Sequence, residues 1–518
     1  MILRLLALLA LLLPPAALAQ SRAEIERTMR RATTFMVEQV ADHGGYVWAY
    51  LPDRSRRWGE MEAEPGMLWV QAPGTATMGH IFLDAFNATG DRYYFEAAAR
   101  AAEALIAGQH RSGGWNYFVH RGGPAAARRW YDTIGRNGWR LEEFQHYSDN
   151  ATFDDAGTAE TMQLLLRLYT LRPEPRFLGP LNRAIAFVLN SQFPNGGWPQ
   201  RWPYDPRYPA YQRYVTFNDD VAKENIRFLI MAGRALERPG LLRAARRGMA
   251  IFLVTQGRGQ QAGWGLQYDA RLNVAGARTY EPRALVTHTT AANIEQLYEF
   301  YRLTGERRFL AGVPEALAWL DSVRLPDGIG PPERRFPTFV ELGTNRPLYN
   351  HRRGSNVVNG AYYQDYDPAR PIAHYSQFRA VDVDRLRRDY DRLSAMSAAE
   401  ATRGSLLLER RRPQLPRFFI LDGVAAGSDF TSAARLNLRD IVRDLNPEGW
   451  WSARLTMTSH PYRGPGSRQA APGNFGVTHV GDDTDTSPYP DPSPATGIST
   501  ATYIANMARL IGALEDRR

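Results

Sequence analysis

The sequence predicts a mainly α architecture of helix pairs repeated in series, with a smaller, irregular β-containing C-terminal domain. Three observations predict it. A Gln-to-Gly-aromatic signature recurs along the first half of the chain, apolar residues at helical spacing surround each copy, and the character shifts after about Pro326 to Pro, Gly and short strand-like pieces.

The first residues stand apart from the fold. Met1 to Ala19 carries one early positive charge, Arg4, an apolar stretch from Leu5 to Leu13 and the small-residue pattern Ala17-Leu18-Ala19. This is the pattern of a cleaved export signal (residues 1–19), and its apolar run is too short to span a bilayer. No later segment has the length and apolarity to span one, so a secreted or periplasmic protein with no membrane association after cleavage is expected. Cysteine is absent, which excludes disulfides and thiolate chemistry. Stability must come from core burial, which 518 residues, 44% of them hydrophobic, can supply.

Four copies of the signature follow. They are Gln39 with Gly44-Gly45-Tyr46, Gln109 with Gly113-Gly114-Trp115, Gln192 with Gly196-Gly197-Trp198, and Gln256 with Gly263-Trp264; the aromatic positions lie 69, 83 and 66 residues apart. Two helices plus loops fill each interval. Helices are predicted over 75–87 and 93–109, 157–170 and 178–192, 221–236 and 240–256, and 290–304 and 306–320. Each Gly serves a positive φ or a close approach, and each aromatic caps a helix pair. Helix pairs stacked in this way curve into a toroid or solenoid. The catalytic toroid domain is therefore placed at 20–325 and a second domain, with strand-like pieces at 338–342 and 418–421, at 326–435. Residues 436–518 form a turn-rich extension whose last helix, over 499–514, has the pattern of an inner helix that packs back on the toroid.

The formal net charge is +9, and Lys223 is the only lysine. A basic surface suits an anionic partner. No basic run with interleaved aromatics stands out, which argues against nucleic acid. Two paired-acid segments, Thr152-Phe153-Asp154-Asp155 and Thr216-Phe217-Asn218-Asp219-Asp220, stand in register immediately before predicted inner helices. One acid there is an ordinary N-cap; two suit a hard cation such as Ca²⁺, which takes several oxygen ligands. Asp482-Asp483-Thr484-Asp485 is a third acidic cluster. The rigid, amide-rich Asn195–Gln200 loop, with Trp198 and Gln200, has the make-up of a sugar platform. Arg278 lies beside Tyr280 and Glu281, and Arg346, Arg352 and Arg353 add guanidiniums suited to substrate carboxylates.

Asn-Gly-Gly-Trp-Pro-Gln at 195–200, Thr-Phe-Asn-Asp-Asp at 216–220, Ala-Arg-Thr-Tyr-Glu-Pro at 277–282 and Thr-Asn-Arg-Pro at 344–347 resemble the pectate lyases of polysaccharide lyase family ten. Ala151–Asp155 is similar to a further acidic motif, and the likeness covers roughly residues 100 to 355. It implies a toroid facing a second domain, with polygalacturonate in the cleft between them, cleaved by calcium-assisted β-elimination. By motif position Asp154 and Asp219 are calcium ligands with Asp220 beside them, and Arg278 is the base that removes the C5 proton. Arg352 binds substrate carboxylate with support from Arg346, and Trp198, Gln200 and Tyr280 line the substrate. An arginine base implies an alkaline optimum, since its pKa exceeds about 12. A monomer is expected.

The chain departs from the family at Phe336-Pro337-Thr338-Phe339, where Thr338 replaces an expected substrate-binding arginine with Arg334 and Arg335 close by. The segment from Arg283 to Thr290 and the tail beyond about residue 400 also differ. Three other readings compete. A glycoside hydrolase on the same toroid would use two aspartates as acid and base. A non-catalytic acidic-polysaccharide-binding protein would bind without turnover. A triterpene cyclase shares the Gln-to-Trp repeat, but no convincing acidic protonating motif in an apolar cavity is found.

Overall fold

A computed structural model describes residues 20–135, 142–353, 361–369, 371–372, 376–408, 437–455 and 496–515. The expected export signal, the 418–421 strand and the 482–485 acidic cluster lie outside them.

Helix α1 (Arg22–Phe35) opens the described chain, capped by Ser21, whose side chain accepts from the Glu24 amide. The pair α2 (Thr75–Thr89) and α3 (Arg92–Ala107) turns at Gly90, in the left-handed region at φ +76°, and at Asp91, which caps α3. After α4 (Gly123–Thr133) come the pairs α5 (Gly157–Leu171) with α6 (Pro175–Ser191) and α7 (Val221–Ala235) with α8 (Pro239–Val254). Helix α9 (Thr287–Thr304) is followed not by one helix over 306–320 but by two, α10 (Arg308–Ala311) and α11 (Val313–Ser322). The break falls at Gly312, where a Cβ would lie 2.2 Å from Gln256 Oε1, and Pro314 then starts the next helix. Then come α12 (Val383–Ala395), α13 (Ala398–Ala401), α14 (Leu438–Arg443) and α15 (Thr500–Glu515).

Helices α2, α5 and α7 pack side by side in series and form the inner wall, with α3, α6 and α8 outside them. Burial separates the layers: every residue of α5 from Gly157 to Leu168 is buried, whereas α6 buries one stripe and exposes the other. Helix α9 continues the arc against α8, and α15 starts it against α1 and α2, so the last helix lines the wall beside the first pair. The architecture is a mainly α, α/α toroid. Helices α12 and α13 pack on α9.

The recurrent signature acts as a joint between neighbouring pairs. Gln109 Nε2 donates to Gly113 O in its own turn and to Pro180 O of α6 in the next pair. Gln192 does the same to Gly196 O and Ala244 O, and Gln256 to Ala262 O and Gly312 O. Gly113 and Gly196 sit at φ +103° and +97°, with the backbone carbonyl of the next outer helix 2.2 Å from where a Cβ would be. Only glycine meets both demands. Each Trp indole then donates back into its own outer helix: Trp115 to Leu105 O, Trp198 to Val188 O and Trp264 to Phe252 O.

The β structure is small. Ala284–Val286, Phe339–Glu341, Pro347–Arg353 and Ala361–Asp365 form a four-stranded antiparallel sheet, with Val286 opposite Phe339 and Arg352 opposite Tyr362. It joins the segment before α9 to the chain beyond residue 326. Thr496–Ser499 pairs with Ala49–Tyr50 and leads into α15.

Candidate active site

The N-terminal ends of successive inner helices converge at one end of the toroid. The chain enters α5 and α7 through two short turns that touch each other, Asp154–Ala156 and Asn218–Asp220. Both turns carry consecutive non-glycine residues in the left-handed region: Asp155 and Ala156 at φ 49° and 57°, Asp219 and Asp220 at φ 50° and 57°. Backbone strain of this kind, repeated at one position of two repeats, marks a site where geometry outweighs local preference. The register makes Asp155 the counterpart of Asp219, and Asp154 that of Asn218.

Asp154 is wholly buried at the centre of the cluster. Its Oδ2 accepts from the Tyr117 hydroxyl and from Arg278 Nη2. Arg278, 4% exposed, is held on its other nitrogens by Glu143 at 3.3 Å and Glu281 at 3.1 Å, and its amide donates to Glu281 at 2.9 Å. Burial opposes the charge on Arg278, but Asp154 and Glu143, with Glu281, hold it as a guanidinium well above its ordinary range. Burial pushes Asp154 up; Arg278 and the hydrogen bonds from Asp219 and Tyr117 outweigh it and hold the carboxylate well below its usual range.

Asp219 moves the opposite way. Crowding by protein atoms, then repulsion from Asp154 and Asp155, push it well above the usual carboxylate range. Its side chain nevertheless reaches water, as at the floor of a cleft, so the repulsion is the firmer cause. Of the two aspartates, Asp154 is thus the one held charged and Asp219 the one pushed toward its protonated form. Asp155 is raised by burial and by Asp154, and accepts from Gln71 Nε2 at 2.7 Å. Gln71 also donates to Glu60 and so ties the entrance of α2 into the cluster.

The other expected residues fall into three groups. Gln200 joins the cluster: it is 1% exposed, beside Asp154, and neither of its amide atoms has a conventional hydrogen-bond partner. Trp198 and Tyr280 are buried in the fold. Trp198 is fully buried as a joint residue, and Tyr280, 1% exposed, donates to Glu143 while its carbonyl accepts from Asn350. A flat ring with a polar edge serves a core that needs that edge bonded as readily as it serves a sugar. Asp220 and Arg346 point elsewhere. Asp220 pairs with Lys223 at 2.9 Å, and Arg346 is stacked on the Tyr366 ring at 3.3 Å. Arg352 is in the sheet opposite Tyr362; its side chain is outside the described set. Thr338 is buried and accepts from Arg379 Nε at 3.1 Å, so a guanidinium from the strand Phe378–Arg379 stands beside the position where an arginine is expected.

Sequence reasoning missed Glu143, Tyr117 and Gln71. Tyr117 follows Trp115 by two positions as Gln200 follows Trp198, so the repeat itself carried that signal. Glu143 lies in a short turn outside any repeat and had none.

The cluster fits a hard cation in kind. Its donors are carboxylate oxygens that repel one another, and Asp154 Oδ1 is buried without a conventional donor. It does not fit in number: among the described residues no group of three or more His, Cys, Asp or Glu is spaced to hold a metal. Calcium takes six to eight oxygens, so water and substrate carboxylates would complete the set. Among the described residues no helix is long and apolar enough to cross a membrane.

Residues 125–367 match the model of a family described as pectic acid lyase. No curated protein matches the chain in sequence. Among solved structures, the chain is similar to the family 10 polysaccharide lyase from Cellvibrio cellulosa, with TM-score 0.42 and 16% identity over 61% of this chain and 98% of that one. A variant of that lyase, in complex with trigalacturonic acid, gives TM-score 0.41 and 16% identity over 61% and 97%. An α-1,6-mannanase from Salegentibacter sp. HEL1_6 gives TM-score 0.36 and 10% identity over 96% and 100%.

Proposed function

We propose that this chain, whose residues 125–367 match the pectic acid lyase family, is an exported polysaccharide lyase that cleaves polygalacturonate by calcium-assisted β-elimination at the Asp154–Asp219–Arg278 cluster. One observation carries the reading: a guanidinium paired with a buried carboxylate meets a second, water-reached aspartate at a strained end of the toroid.

In the reaction, the C5 proton of a uronate leaves, the C4–O4 bond breaks, a C4=C5 double bond forms and O4 departs with a proton. Asp154 and Asp219 would supply part of the oxygen set that calcium needs, with water and substrate carboxylates the rest; calcium when bound would neutralise the substrate carboxylate and acidify C5. Arg278 faces the same point. As long as Asp154, Glu143 and Glu281 keep their charge, Arg278 is a cation suited to the developing enolate. To accept the C5 proton Arg278 must first lose its own, a step that its pairing with Asp154, Glu143 and Glu281 opposes and that high pH favours. Arg352 receives a neighbouring carboxylate.

The experiment follows unsaturated-uronate absorbance from polygalacturonate at alkaline pH, with calcium and then with chelator. A calcium-dependent signal that Arg278→Ala abolishes is expected. Reducing ends without the double bond would replace this reading with a hydrolase, in which the split Asp154–Asp219 pair serves as base and acid.

A further inference from the structure

A second concave surface lies apart from the catalytic cluster. It is a cavity of about 590 Å³ on the rim of the toroid, between the turn that follows α6 and the hairpin loop around Asp269. Phe193, Trp202, Tyr204 and Tyr214 line it, each only partly buried. Four aromatic side chains left partly in water around one hollow are costly unless something covers them.

The cavity also holds cations that form no ion pair among the described residues. Arg213 and Arg271 are both exposed and form no ion pair among the described residues; the Arg213 guanidinium lies over the Tyr204 ring at 4.8 Å. The carboxylate at its edge, Asp269, is turned back into its own loop, where it accepts from the amides of Arg271 at 2.8 Å and Asn273 at 2.9 Å. The cavity thus offers apolar ring faces and two planar forks of donors to whatever enters. Ring faces complement the C–H face of a pyranose, and guanidinium forks match carboxylates.

The position adds a second argument. Trp202, Tyr204, Arg213 and Tyr214 belong to one loop, and Tyr211 on that loop is buried within electrostatic reach of Arg278. One face of the loop borders the catalytic cluster while the other builds the cavity.

We propose that this cavity is an accessory site for a chain of uronic acid units, holding a stretch of polymer outside the catalytic cluster. The choice of ligand rests on the reading of the substrate as polygalacturonate. The test measures binding of the full-length protein to immobilised polygalacturonate by interferometry at physiological salt, with chelator present to suppress turnover. Arg213→Ala/Arg271→Ala is expected to weaken binding about tenfold, and Tyr204→Ala, which leaves charge unchanged, severalfold. A matched pair of surface changes, Arg92→Ala/Arg388→Ala, should leave binding within twofold. On polymer the cavity variants should raise KM with kcat unchanged, and on trigalacturonate they should change neither. Wild-type binding by the cavity variants would overturn the proposal, as would an equal loss in the matched pair, which would reduce the effect to net charge. Competition by single-stranded oligothymidylate as effective as that by polygalacturonate would also overturn it. If no unsaturated product forms but binding still falls only in the cavity variants, the site stands and the reaction reading falls.

Discussion

Arg278 and Asp154 form an ion pair from which water is excluded, their side chains 4% and 0% exposed. The charge on Asp154 also pushes Asp219 toward its protonated form, so one carboxylate ties the cationic and anionic halves of the site together.

Asp154→Asn should therefore damage both stability and chemistry. Breaking a buried pair from one side costs about 3–5 kcal/mol, because the remaining charge stays buried. Removing a preorganised electrostatic group costs roughly 10²–10³ in kcat. Denaturant unfolding and the absorbance assay read the two separately; a variant with wild-type stability would show that Glu143 and Glu281 alone suffice for Arg278.

Calcium should raise the melting temperature and chelator should reverse the rise. A ligand at a hundred times its Kd adds about 2.7 kcal/mol. Asp219→Asn should abolish the response, and Asp220→Asn should keep it, because Asp220 is paired with Lys223 at the surface. Melting curves indifferent to calcium, both alone and with trigalacturonate present, would remove the metal from the reading.

Glu160 makes stability depend on pH. It is buried on α5, accepts from Thr77 at 2.6 Å, and burial raises its pKa from 4.5 to about 8. The folded state holds this proton after the unfolded state has lost it. The stability it contributes is thus complete below about pH 4.5, falls through the window up to about pH 8, and is level above that. Glu160→Gln should flatten that slope in unfolding measurements between these limits. An unchanged slope would assign the proton elsewhere. The slope also works against an alkaline optimum, since the protein is weakest where an arginine base works best.

Trp198 allows a cleaner test of structure against binding. Trp198→Ala should cost about 3–5 kcal/mol of stability, as large core truncations do. Trp198→Phe should lose mainly the hydrogen bond to Val188 O, about 1 kcal/mol. KM should stay close to wild type in the Phe variant; a large rise would return Trp198 to the substrate.

The helix pairs were legible because Gln, Gly and Trp mark the three joints at Trp115, Trp198 and Trp264, and because the inner helices are apolar at helical spacing. The register of Asp155 with Asp219 was legible for the same reason. Spacing could not say which way a ring or an acid faces. Trp198 reads alike as platform or joint, and Asp220 reads as a ligand until Lys223, one turn on, claims it. Glu143 became visible only when a turn from outside the repeats was brought against the Arg278 guanidinium.

The place of α15 bears on how the chain is made. Its partners α1 and α2 leave the ribosome long before it does, so the surface of α2 that it covers stays bare while the intervening chain is synthesised. At ~5–20 residues per second that interval is roughly twenty to eighty seconds. The wall beside the first pair cannot be finished until α15 emerges, and a nascent chain stalled short of Thr500 would present that greasy strip to other chains.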